Sequence, residues 1–144
     1  MESSTINAVG IWLYSKSTNR YLYLLRNDPK HPGAWGLPGG KVEQGESLLD
    51  AIQRECQEEL GSYPNVVKLI PIEHFTSPDN KFVYHTFFGL LDKEFIPTLN
   101  NEHYGYTWID SGEIPRPLHP GFFATINVDE IQSKVKTIES SLTS

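Results

Sequence analysis

The sequence predicts an α/β domain in which a mixed β-sheet lies between helices. Two observations carry that reading. Short β-rich segments alternate loosely with two stretches of helical periodicity, and some of the β-rich segments are spaced as hairpins. The length of 144 residues, with 38% hydrophobic and 21% charged residues, fits a single globular domain over 1–144 that buries its own core.

The elements follow in order. Residues 5–14 (TINAVGIWLY) are β-rich and form the first expected strand, and 20–26 (RYLYLLR) the second, with Asn19 at the turn between them. Residues 27–34 carry two prolines and a glycine and read as a loop. In Gly36-Leu37-Pro38-Gly39-Gly40 the backbone must bend tightly or approach something closely. Ser47–Leu60 is the clearest helix. Ser47 and Asp50 form a capping box, and Leu48, Leu49, Ile52, Cys56 and Leu60 make an apolar stripe. Gly61 stands at the C-cap. Residues 66–76 and 81–91 read as two strands around the turn Ser77-Pro78-Asp79-Asn80. Residues 92–102 form a loop, 104–109 (YGYTWI) a short strand, and 111–121, with Pro115, Pro117 and Pro120, an irregular segment. Val128, Ile131, Val135 and Ile138 predict a last helix over about 127–141, starting near Asn127 or Asp129.

Composition removes several functions. The formal net charge is −6, from 18 acids and 12 bases. A duplex-DNA binder would need clustered Lys and Arg. No apolar run approaches the ~20 residues that span a bilayer. Met1 to Tyr14 has neither a basic start nor a long apolar stretch, so no secretory leader is expected and a cytoplasmic location is. The one cysteine makes no internal disulfide and no multi-cysteine zinc site. Cys56 lies on the apolar stripe and reads as a small core residue.

The acidity is concentrated. Between 41 and 60, Glu43, Glu46, Asp50, Glu55, Glu58 and Glu59 face only Lys41 and Arg54, which leaves −4 in that stretch. Glu55, Glu58 and Glu59 stand at i, i+3 and i+4, on neighbouring positions of one helical turn. Glu59 borders the apolar stripe and should be shielded from water. Like charges so placed repel, and burial raises the cost. A hard divalent cation with a preference for oxygen ligands reverses that energetics. The Gly39-Gly40 pair lets the backbone come close to this helix, with carbonyls that can ligate metal and amides that can meet phosphate. Arg54 has Glu58 or Glu46 as partners and reads as an organiser of the acids, with direct substrate contact as the alternative.

Gly40, Glu46, Arg54, Glu55, Glu58, Glu59 and Gly61 together resemble the Nudix box, G-x5-E-x7-R-E-U-x-E-E-x-G-U, with every fixed position filled. Cys56 and Ser62 occupy the two U positions, where the pattern has bulky aliphatic residues. The resemblance implies an α/β/α sandwich with the box as loop–helix–loop. It implies metal-dependent hydrolysis, by Mg²⁺ or Mn²⁺, of a diphosphate linkage in a nucleoside diphosphate joined to another group, by water attack on phosphorus. Glu55, Glu58 and Glu59 would be metal ligands, and the Gly39 carbonyl a backbone ligand. The general base would be Glu55 in the box or Glu102 in the later loop, where Glu102 could instead complete the metal shell. Arg26, Gly39, Gly40 and Arg54 would face a small nucleotide substrate. Two substrate classes compete: nucleoside triphosphates, and conjugates such as ADP-ribose, dinucleotides or sugar nucleotides. A non-catalytic Nudix-like module that binds a nucleotide or RNA is the alternative, and a homodimer is allowed. Pro78, 16 residues after Ser62, is a weak marker of ADP-ribose-cleaving members that the turn also explains. Trp35 should pack under the glycine loop and Trp108 should be structural. The five histidines, His31, His74, His85, His103 and His119, show no metal-ligand spacing.

Overall fold

A computed structural model describes residues 5–27, 29, 30, 33–119 and 129–143. Residues 1–4, His31, Pro120, Asn127, Val128 and the Ile131 side chain lie outside the described residues. The elements run β1 (Ile6–Ser15), β2 (Arg20–Arg26), β3 (Trp35–Gly36), β4 (Gly39–Lys41), α1 (Leu48–Leu60), β5 (Lys68–Thr76), β6 (Phe82–Leu91), β7 (His103–Asp110) and α2 (Asp129–Thr143).

These strands form one mixed sheet in the order β3-β2-β1-β6-β5, with β4 also on β1 and β7 also on β2. β1 and β6 pair in parallel through ten residue pairs from Ile6↔Phe82 to Ser15↔Leu91. The other pairings are antiparallel. β1 is the central strand. Its C-terminal end pairs with β2 at Tyr14↔Tyr21, whereas its N-terminal half pairs with β4 at Gly10↔Gly39. The sheet therefore forks between β1 and β2, and the short strands β3 and β4 fill the fork.

Side-chain alternation on β1 builds two cores. Val9, Ile11 and Leu13 join Leu22, Leu24 and, from α1, Ala51, Ile52, Cys56 and Leu60. Trp12 and Tyr14 point the other way and join Tyr21, Tyr23, Phe88 and Leu90, on which Val135, Ile138 and Leu142 of α2 pack. One helix on each face makes the α/β/α sandwich. Each large side chain buried this way contributes about 1.5–3 kcal/mol. With both faces covered, β1 reads as a near-continuous apolar run.

The sequence expectations meet three corrections. Leu49 is 45% exposed, so it leaves the α1 stripe and Ala51 takes its place. The Gly36–Gly40 segment holds two short pairings, β3 and β4, in addition to its bend. Ser47 Oγ accepts from the Asp50 amide at 3.0 Å, but the return bond from the Asp50 carboxylate is not formed among the described residues. The C-cap stands as read: Gly61 has φ 88°. Asn19, at φ 57°, makes the β1–β2 turn and accepts a hydrogen bond from the Tyr14 hydroxyl on its side chain. The Ser77–Asn80 turn closes through Asn80 N–H to the Ser77 carbonyl at 2.9 Å, and Asp79 caps it from Ser77 Oγ and Lys81 N. That accounts for Pro78 as a turn residue.

Candidate active site

The fork in the sheet brings the box residues together. Gly39 lies against β1 so closely that a Cβ on it would stand 1.9 Å from the Val9 carbonyl oxygen, and its φ of 152° also favours glycine. A Cβ on Gly40 would meet Glu55 Oε2 at 1.8 Å. The expected close approach of this backbone to the helix is therefore present. The Gly39 amide donates to Glu59 Oε1 at 3.0 Å.

A cleft of about 740 Å³ opens here. Arg26 and Asn27 from the end of β2, Gly39 to Lys41 from β4, Arg54, Glu55 and Glu59 from α1, and Asn101 to His103 at the start of β7 line it. Of the candidate residues, Arg26, Gly39, Gly40, Arg54, Glu55, Glu59 and Glu102 thus share one cavity. Glu58 does not line it. Its side chain is half exposed at the rim and accepts from Arg54 Nη1 at 3.5 Å. Among the described residues, no three His, Cys, Asp or Glu side chains converge as a ready-made metal cage.

Arg54 organises the acids as expected, with more partners than the sequence suggested. Its Nε and Nη2 donate to the two oxygens of Glu46 at 2.7 and 3.0 Å, a bidentate pair. Nη1 donates to Glu55 Oε1 at 3.1 Å, and Nη2 to the Lys41 carbonyl at 3.0 Å. The guanidinium holds the Glu46 carboxyl down at about 2, with help from the Glu43 amide.

The two inner carboxyls both shift in the direction opposite to Glu46. Glu59 is 3% exposed and Glu55 8%. Burial pushes Glu59 up to about 9; Glu55 and Glu102 add to the rise, while the Gly39 amide and Arg26 oppose it. Burial also raises Glu55 to about 7, reinforced by a hydrogen bond with Glu58 and opposed by Arg54. A buried acid pair whose charged forms are disfavoured, beside a glycine-lined backbone, is a set of hard oxygen donors that a divalent cation suits. Glu55 and Glu59 are the inner donors, and Glu58 could swing in from the rim.

Three contributors escaped the sequence reading. Asn100 Nδ2 donates to the Glu58 carbonyl at 2.9 Å and to Glu102 Oε2 at 3.3 Å, and its Oδ1 accepts from the Glu102 amide at 3.0 Å. Asn27 clamps the same loop from β2: its amide donates to the Glu102 carbonyl and its Nδ2 to the Asn101 carbonyl, both at 3.0 Å. The two asparagines pin Glu102 to the cleft wall. Tyr84 is buried beside Gly10, close enough to Arg26 and Glu59 for both to act on its hydroxyl. Only the turn-forming character of Asn100-Asn101 hinted at the first.

Outside the cleft, Trp35 packs on the core that contains Leu37, and Trp108 stacks edge-on to Phe95 at 5.7 Å. Phe88 is fully buried, and His85 pairs with Asn7 at 3.0 Å. No helix among the described residues is long and apolar enough to cross a membrane.

Comparison with known proteins agrees with this geometry. The NUDIX domain family model matches residues 5–126. ADP-ribose pyrophosphatase of Methanocaldococcus jannaschii is 39% identical over 61 residues, which cover 42% of this chain and 35% of that protein. Nucleoside triphosphatase NudI of Escherichia fergusonii is 30% identical over 88 residues, 54% of this chain and 62% of that one. The chain thus spans between about a third and three-fifths of these curated relatives. The crystal structure of a MutT protein from Methanosarcina mazei Go1 superposes with a TM-score of 0.69 at 25% identity, over 95% of this chain and 97% of that one.

Proposed function

The chain belongs to the NUDIX domain family, and from that premise we propose that it hydrolyses a diphosphate linkage in a nucleoside diphosphate derivative with a divalent cation, Mg²⁺ or Mn²⁺. The observation that carries the reading is Glu59: a carboxyl 3% exposed, beside a second buried carboxyl at Glu55, on the wall of a cleft rather than in a closed core. Such a pair is costly in an inert helix and useful where cations and phosphates enter.

Glu55, Glu58 and Glu59 would hold the cation, with the Gly39 carbonyl as a further oxygen ligand. When bound, the ion supplies positive charge to the diphosphate oxygens and lowers the pKa of water. Arg26, at the cleft wall where β2 ends, receives phosphate oxygens, while the Gly39 amide holds Glu59. Arg54 keeps Glu55 in place. Water attacks phosphorus, the bond from phosphorus to the bridging oxygen breaks, and the water proton passes to a carboxylate. Glu55 and Glu102 are the two acids placed to take it, from α1 and from the β7 loop. The intact Glu46, Arg54, Glu55, Glu58 and Glu59 weigh against the alternative of a binding module without activity.

Both substrate classes find a namesake among the relatives, one named for ADP-ribose and one for nucleoside triphosphates. Incubating the pure chain with ADP-ribose, a dinucleotide and the nucleoside triphosphates, with Mg²⁺ or Mn²⁺, and separating the products tests the reading. Release of a nucleoside monophosphate, with ribose phosphate or pyrophosphate as the other product, supports it and chooses the class. No turnover of any compound with either ion overturns it.

A further inference from the structure

His74 on β5 and His85 on β6 stand directly opposite each other in the antiparallel pairing of these strands. Their ring centroids are 5.8 Å apart and the ring planes are tilted by 43°. The two residues are remote in sequence, and the register of β5 on β6 makes them a pair. His85 lies level with Val9 of β1, which places the pair on the α1 face of the sheet. Neither histidine lines the diphosphate cleft. The cleft strand β4 flanks β1 on one side and β6 flanks it on the other.

Each ring has one nitrogen committed to an outer partner. His85 Nε2 lies 3.0 Å from Asn7 Oδ1. An amide oxygen only accepts, so Nε2 carries the proton and Nδ1 keeps its lone pair. His74 Nδ1 lies 3.9 Å from Glu73 Oε1. The His74 backbone amide donates to that same oxygen at 3.1 Å and holds the carboxylate beside the ring. Its negative charge draws the ring proton to Nδ1 and leaves the lone pair on Nε2. Metal-bound histidines are oriented in this way, with one nitrogen on the ion and the other N–H directed at an oxygen that fixes the tautomer and the ring.

Geometry and donor type set the occupant. Two imidazoles on one tetrahedral ion, with metal–nitrogen bonds of about 2.0–2.1 Å, have centroids roughly 5 Å apart. A small turn of the exposed His74 ring closes the pair to that separation. Imidazole nitrogens suit Zn²⁺, Ni²⁺ and Cu²⁺, whereas Mg²⁺ prefers oxygen. Burial, with His74 as neighbour, lowers the His85 pKa below the ordinary imidazole value and favours the neutral form that ligates. Two protein nitrogens leave the other coordination positions to water, which agrees with the lack of a three-ligand cage among the described residues.

We propose that His74 and His85 form a metal site separate from the carboxylate cleft, which takes Zn²⁺ through His74 Nε2 and His85 Nδ1 with water completing the coordination. β5 ends the order of the sheet, and its register shifts between Pro71 and Glu73. An ion on the pair ties this strand to β6 just past that irregularity. The site stands independently of the hydrolase reading.

The test titrates Zn²⁺ into the whole chain with about 10 mM Mg²⁺ present to occupy oxygen sites, and follows the histidine ring nitrogens in ¹H–¹⁵N spectra. The expected result is a shift of His74 Nε2 and His85 Nδ1 together, saturating with a Kd below about 0.1 mM. Mg²⁺ alone should move neither. His74→Ala removes one ligand at an exposed position and should weaken Zn²⁺ at the remaining histidine at least about tenfold. His85→Asn should do the same to His74, which keeps the test open if one variant folds poorly. Asn7→Ala should weaken binding by about threefold or more with both ligands in place, because the His85 tautomer is no longer fixed. Zn²⁺ shifts confined to His103 or His119, no shift of His74 and His85 at about 1 mM Zn²⁺, or an affinity unchanged in both ligand variants would each overturn the proposal.

Discussion

Gly39 and Gly40 are adjacent and both crowded, yet substitution should harm them differently. A methyl at Gly39 meets the Val9 carbonyl, which is backbone in the central strand, at a φ that other residues avoid. Gly39→Ala should therefore cost about 3 kcal/mol or more of stability, measured by urea denaturation. A methyl at Gly40 meets the end of the Glu55 side chain, which can rotate away. Gly40→Ala should keep its melting temperature within about 3 °C and lose about 10- to 100-fold in kcat, because the displaced carboxylate is the one proposed to hold the cation or take the proton. Glu59 makes a pH prediction. Its carboxyl titrates at about 9 folded against 4.5 as the ordinary value, so between those limits the folded state holds a proton that the unfolded state has lost. Stability in chelator should fall as pH rises from about 5 to about 9. In Glu59→Gln that slope should flatten, while hydrolysis drops by orders of magnitude. A chelator-treated wild type with flat melting temperatures across the window would refute the assignment.

Helix α1 was readable because its signals are local. Ser47, the apolar spacing and Gly61 lie within one element, and Glu55, Glu58 and Glu59 follow from i, i+3, i+4 geometry. What stayed hidden depends on other elements. Glu58 sits at the rim because Arg54 draws its carboxylate there, a rotamer choice that spacing does not set. Which faces Tyr84 and His85 take follows from the parallel register with β1, which pairs them with Ala8 and Val9, far away in sequence. The Asn100 and Asn27 clamps on Glu102 are likewise long-range bonds. β3 and β4 are two and three residues long, too short for alternation to reveal. Arg54 ties α1 to the loop before it, which makes a prediction at this scale. Lysine cannot reproduce a bidentate pair with Glu46 together with bonds to Glu55 and the Lys41 carbonyl. Arg54→Lys should reduce kcat about 10-fold or more with KM changed less. It should also flatten the acid limb of stability. The Glu46 carboxyl, held at about 2 folded against 4.5, contributes stability that is full above about 4.5 and lost as pH falls toward 2. An unchanged acid limb in the variant would place the origin of that stability elsewhere.

For the whole molecule, the formal charge of −6 acquires a location and a consequence. Most of the acid excess lies between residues 41 and 60, and the fold turns two of those carboxyls inward onto a cleft 740 Å³ in volume. The sandwich is stable enough elsewhere, through two cores that contain Tyr14, Phe88, Ile11, Leu22 and Ile52 at under 2% exposure, to hold such a site against its own repulsion. Any ion that binds the folded state and not the unfolded chain must raise its stability, by RT ln(1 + [L]/Kd). Mg²⁺ or Mn²⁺ should therefore raise the melting temperature, and the rise should depend on pH in a set direction. Below about 6 the inner carboxyls hold protons that the ion must displace, so stabilisation is small. Above about 8 Glu55 has lost its proton and Glu59 begins to lose its own, so the ion has less to displace and stabilisation is larger, by about 3 °C or more at 100 times Kd. Sodium chloride at matched ionic strength should not reproduce it, because exposed charges are screened by salt while buried donors require a ligand. Calorimetry of the chelator-treated chain at pH 5.5 and 8.5, with each ion and with Glu59→Gln as the comparison, reads all of this. A rise that is equal at both pH values, or that persists in Glu59→Gln, would mean that the cation binds the outer acids, Glu43, Glu46 and Asp50, and not the inner pair.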